Sequence, residues 1–115
     1  MLLIYGDENA LNEDEREACY VESAGLTQEL HAAGKYLGAA PLHPTATAKS
    51  VRVREGTRFV TDGPFAETHE QLGGFFLVEA RDADEALGIA ERIPAARWGT
   101  VEVRPVIEIS GMPES

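Results

Sequence analysis

Four successive large apolar residues, Phe75-Phe76-Leu77-Val78, constrain this chain more than any other feature of it. Side chains alternate between the two faces of a strand, so the run loads both faces and belongs to a central strand covered on each side. Leaving one such side chain in water forfeits roughly 1.5–3 kcal/mol. A chain of 115 residues has one modest core with which to prevent that.

The elements that must do the covering are legible on either side. "MLLIY" is a short apolar run that the turn-forming "GDEN" ends, a first strand. From Asn12 to Ala33 the residues Cys19, Ser23, Leu26, Leu30 and Ala33 recur at steps of three and four, with acidic residues in the first turn and Gly34 just past the end. That spacing predicts a long amphipathic helix. "KYLGAAPL" reads as a second strand and "HPTATA" as a loop. "KSVRVR" then alternates, and Glu55-Gly56 turns it into "TRFVT", a hairpin whose wet face carries Arg52 and Arg54 and whose other face carries Val51 and Val53. Asp82, three residues before Glu85, reads as a capping box. It opens a second helix with the stripe Ala83, Ala86, Leu87, Ala90 and Ile93, which Pro94 ends. "TVEVRPVIEI" makes the last strand, with Pro105 near an edge or a strand end.

This order predicts an α+β protein: a ferredoxin-like βαββαβ sandwich with an extra hairpin, both helices on one face of a mainly antiparallel sheet. The opposite face is left bare, and half of the Phe75–Val78 run lies on it. Two sheets packed face to face in a homodimer cover it.

Composition excludes several functions. Twenty acidic residues against ten basic ones give a net charge of −10, which opposes nucleic acid as a partner. The single Cys19 has no internal disulfide partner, and no signal peptide or membrane-spanning run is visible, so the expectation is a soluble, cytoplasmic protein away from the membrane. His31, His43 and His69 sit on separate elements without the i, i+4 spacing of zinc motifs, so no metal is expected. Gly73-Gly74 lacks the context of a dinucleotide loop and "GDEN" lacks a phosphate-binding lysine; both read as turns, and no cofactor is expected. Cys19 reads as a small buried hydrophobe, and Trp98, beside Gly99, either as the wall of a cleft or, the commoner role, as an anchor before the last strand.

The polar feature that remains is "TDGPFAETHEQLGG", residues 61–74. Asp62-Gly63-Pro64 suits a tight turn in which Asp62 bonds nearby amides, and Phe65 folds back as an anchor. Glu67, His69 and Glu70 follow at once. Asp62, Glu67 and His69 are therefore the candidate catalytic groups, suited to a proton shuttle where a cleft desolvates them. A small ligand is expected at the rim of the sheet, held by Asp62, Phe65 and Glu67 together with Ser23, a polar residue on the inward stripe of the first helix.

The segments "TDGPFAETHEQLGGFFLVEA", "IPAARWGTVEVRPV" and "MLLIYGDE" resemble the DGPF branch of the YCII-related domain family, over nearly the whole of residues 1–115. The resemblance implies one ferredoxin-like domain that pairs into a dimeric α+β barrel. It brings no settled activity, and two readings stand: a bacterial small-molecule-binding dimer with acid/base chemistry of lyase or isomerase type, or a non-catalytic accessory module with protein partners, as the frequent neighbourhood of relatives' genes with extracytoplasmic-function sigma factor genes implies. The wider family is linked to chemistry through a His on the first helix and a nearby Asp. Ser23 stands where that His is expected, and a hydroxyl does not replace imidazole as a base.

Overall fold

A computed structural model of the chain describes residues 1–113. The N-terminal apolar run forms β1 (Leu2–Gly6), and α1 (Glu13–Ala32) follows. Asn12 starts α1 through a reciprocal capping box: its side chain accepts the Glu15 N–H at 2.8 Å, and the Glu15 carboxylate accepts the Asn12 N–H at 3.0 Å. Gly34, at φ +73°, turns the chain out of the helix into β2 (Tyr36–Pro41). The hairpin is β3 (Lys49–Arg54) and β4 (Thr57–Asp62), with Glu55 and Gly56 both at positive φ in its turn. Next come β5 (Gln71–Val78), α2 (Ala83–Ala90), a 3-10 turn over Pro94–Arg97 and β6 (Thr100–Val103).

Strands β2, β5, β1 and β6 lie side by side in that order, every pair antiparallel. This is the ferredoxin-like arrangement, with β3 and β4 inserted between β2 and β5 as a separate two-stranded sheet. β5 is central, as its doubly apolar sequence demands. Phe76, opposite Leu2 on β1, enters the helix-covered core with Leu26, Leu30, Ile89 and Ile93. Phe75, opposite Leu3, and Leu77 lie on the other face with Tyr5, all half-buried. The dry side of β5 is thus completed within the chain, and the other side is bordered by no helix.

Five expectations change. Gly73-Gly74 is part of β5 rather than a turn: the register shifts there, and a Cβ on Gly74 would lie 2.8 Å from the Ala40 carbonyl oxygen on β2. α2 turns Ile89 inward and leaves Leu87 exposed. Its cap is half of a box, because Asp82 accepts the Glu85 N–H but the Glu85 carboxylate turns to Lys35 and the Arg81 N–H. β6 stops at Val103: Arg104 donates a last backbone bond to Met1, Pro105 has no N–H, and Val106, Ile107 and Ile109 run on exposed. The hairpin, finally, is exposed on both faces and not on one, since among the described residues no third strand joins it.

Candidate functional site

Small residues face one another across the gap between α1 and the sheet. The middle of α1 directs Cys19, Ser23 and Ala24 towards Ala39 and Ala40 of β2 and the Gly73-Gly74 pair of β5. Side chains of this size cannot meet across a helix-to-sheet spacing, and a cleft of about 540 Å³ remains open between them. One turn further along α1 the larger Leu26 and Leu30 close the same gap into solid core. Phe76 and Ile4 form the floor and Trp98 an end wall. Trp98 stands there because Gly6 makes room: a Cβ on Gly6 would lie 2.2 Å from the indole ring.

Polar groups gather at the mouth. The Glu8 carboxylate accepts the Thr45 N–H at 2.6 Å and the Thr45 hydroxyl at 2.9 Å, while the Glu8 N–H donates to the Gln71 side chain at 3.1 Å. This latch ties the β1–α1 loop to the loop after β2 and sets His43 and Arg16 at the opening. Thr27 returns its hydroxyl to the Ala24 carbonyl at 2.6 Å. Among the described residues the Ser23 hydroxyl makes no such bond, and Ser23 lines the cleft. Behind the wall a bidentate pair from Arg97 to Glu22, 2.8 Å at both contacts, fastens α1 to the 3-10 turn. That hydrogen bonding, opposed by burial and aided by the Arg97 charge, holds Glu22 below the ordinary carboxylate range.

The residues singled out from sequence fall in two places. Ser23 lines the cleft. Asp62 ends β4 and pairs with Lys49, its cross-strand neighbour, at 2.6 Å in solvent. The turn beyond is held by other bonds, from the Gly63 N–H to the Ala48 carbonyl and from the Ser50 hydroxyl to the Gly63 carbonyl. Phe65 folds back as far as the Arg52 guanidinium, 5.0 Å from its ring centre, and is still 77% exposed. Glu67 and His69 are exposed in the connection to β5. None of these four lines the cleft. His43, set aside as a loop residue, does line it, as do Arg16 and Trp98. The available signal was the coincidence of small residues on both walls, Cys19-Ser23-Ala24 and Ala39-Ala40, visible only once the helix and strand are known to face each other.

Among the described residues no cluster of three or more His, Cys, Asp or Glu is placed to hold a metal ion. Among the same residues no helix is long and apolar enough to cross a membrane.

Fold and site together define a ferredoxin-like α+β protein with an open cleft between its first helix and its sheet. The chain belongs to the YCII-related domain family, which matches residues 1–110. It is similar to an uncharacterised protein of Rhizobium meliloti (strain 1021), 38% identical over 110 residues that cover 91% of this chain and 89% of the relative.

Proposed function

We propose that this protein is a cytoplasmic homodimer that binds a small molecule in the cleft between α1 and the sheet. The observation that carries the reading is the opposition of Cys19, Ser23 and Ala24 to Ala39, Ala40 and Gly74 beside a well-filled core. A cleft of this volume with apolar walls and a few polar groups at its mouth has the size and character of a small-molecule site. The apolar walls take the body of the ligand, and the Ser23 hydroxyl and the groups at the mouth orient it. Chemistry of lyase or isomerase type has its proton carrier in His43, the imidazole at the mouth of the cleft, because the Ser23 hydroxyl does not serve as a base. The face bearing Leu3, Tyr5, Phe75 and Leu77 is the dimer surface of this reading.

A second reading, a non-catalytic accessory module acting through protein contacts, is favoured by the apolar residues that the hairpin leaves exposed. A thermal-shift screen of metabolites separates the two, since a ligand of the folded state raises its melting temperature by mass action. The shift given by a hit is expected to shrink or vanish in Ser23→Leu, which pushes an isobutyl group into the cleft, and to survive in Phe65→Ala and Glu67→Ala. Loss in the latter two alone would move the site to the turn after β4. A screen without hits, beside a stoichiometric protein partner, would favour the accessory module.

A further inference from the structure

The hairpin is the part of this molecule that its own chain does not explain. A two-stranded sheet alone is marginal in water, yet β3 and β4 pair only with each other. In their register Val51 faces Val60 and Val53 faces Arg58, so one side of the ribbon is an apolar patch with Arg58 at its tip and the Lys49–Asp62 pair at its base. Val51 and Val53 are 62% and 61% exposed. The chain's radius of gyration is 16.1 Å, against about 13 Å for a compact chain of this length, consistent with an arm that stands off the body.

Charge sets the arm apart as well. Residues 49–62 hold four of the ten basic residues and two of the twenty acidic ones, so the arm carries +2 and the rest of the chain, with six basic and eighteen acidic residues, carries −12. Arg81, Arg92, Arg97 and Arg104 all have carboxylate partners. Among the described residues Arg52, Arg54 and Arg58 have none within ion-pair distance; Arg54 bonds only its neighbour's carbonyl and Arg52 lies over Phe65.

We propose that the β3–β4 arm docks its valine face on the acidic body of a second copy of this chain, with Arg58 on that face holding the contact and Arg52 and Arg54 on the opposite face adding to the field that steers it. The occupant follows from complementarity: the strongly acidic surface always present beside the basic arm is that of another copy, and two-fold symmetry makes the contact twice. A nucleic acid, the other acidic class, is opposed by the −12 of the body that would approach with the arm. The inference rests on the homodimer of the preceding subsection and adds to it a contact outside the sheet face.

Sedimentation of the whole chain across a salt series tests it, with Arg54→Glu/Arg58→Glu, Arg54→Lys/Arg58→Lys and Val51→Thr/Val53→Thr beside it; threonine keeps the β-branch and the hairpin. The wild-type dimer should weaken about tenfold between about 50 mM and about 500 mM salt. The Glu pair should weaken it about tenfold at low salt and abolish the salt response, the Thr pair should weaken it with the response intact, and the Lys pair should match wild type. Circular dichroism identifies any variant that fails to fold, and the exposed Lys and Thr pairs then decide. A wild-type monomer at every salt overturns arm and homodimer together. A dimer that Phe75→Glu breaks and the arm variants leave alone overturns the arm only. So does salt-sensitive capture of a single-stranded oligonucleotide that the Glu pair loses while its dimer is unchanged.

Discussion

Gly6 and Gly25 show how differently two glycines are used. Gly6 supports the Trp98 wall, so Gly6→Ala should drive the indole out of its place and cost about 1–3 kcal/mol, read by urea unfolding together with a change in the emission of the chain's single tryptophan. Gly25 lies within α1 with open space where a Cβ would go, and Gly25→Ala should stabilise by about 0.5–1 kcal/mol in the same assay. The turn after β4 gives a second contrast. The Asp62 carboxylate meets an exposed lysine rather than a backbone amide, so Asp62→Ala and Asp62→Asn should each cost less than about 1 kcal/mol. Gly63, at φ +97°, should cost more when replaced by alanine, on the order of 1–2 kcal/mol. Equal losses at the two positions would return Asp62 to the turn-holding role that its sequence context implies.

At the level of elements, Glu85 joins the start of α2 to the start of β2. Its side chain, 13% exposed, meets Lys35 Nζ at 2.7 Å and Arg81 at 3.1 Å. The Lys35 hydrogen bond, against the effect of burial and with help from the Arg81 N–H and both cationic charges, lowers the Glu85 pKa below its ordinary 4.5. A depressed carboxylate favours the folded state at pH values above the unfolded value, and the benefit is lost as the pH falls through the folded one. Acid unfolding below about pH 4.5 should therefore be shallower in Glu85→Gln than in wild type, and identical slopes would remove Glu85 from the account. The starts of both helices were legible because Asn12 and Asp82 act locally, through atoms within three residues. The inward face of α2 was not: an eight-residue, alanine-rich helix supports one stripe through Leu87 and another through Ile89, and only the packed sheet chooses. The hairpin's alternation announced strands but not which sheet they join, since that is a long-range choice. For the same reason the site was half legible. Ser23 stood out as a polar residue on a buried stripe, whereas His43 acquires its place only through the Glu8 latch to Thr45.

For the molecule as a whole, the bare sheet face and the open cleft lie on opposite sides of β5, so association and binding can be separated by substitution. Phe75→Glu should yield a folded monomer in sedimentation that keeps its cleft, while Ser23→Leu should remain dimeric; a Phe75→Glu protein that stays dimeric would place the main contact elsewhere. The central claim, that the cleft beneath α1 is where a ligand sits, has a built-in reporter. Cys19 is the chain's single cysteine, half-buried, and it lines that cleft. The rate at which a thiol reagent modifies it, measured with and without a compound that raises the melting temperature, reads occupancy of the cleft and of nothing else in the chain. Such a compound should slow Cys19 modification in step with its own saturation, and Phe65→Ala should leave the protection unchanged. A compound that stabilises the protein at saturation and leaves the Cys19 rate untouched would contradict it.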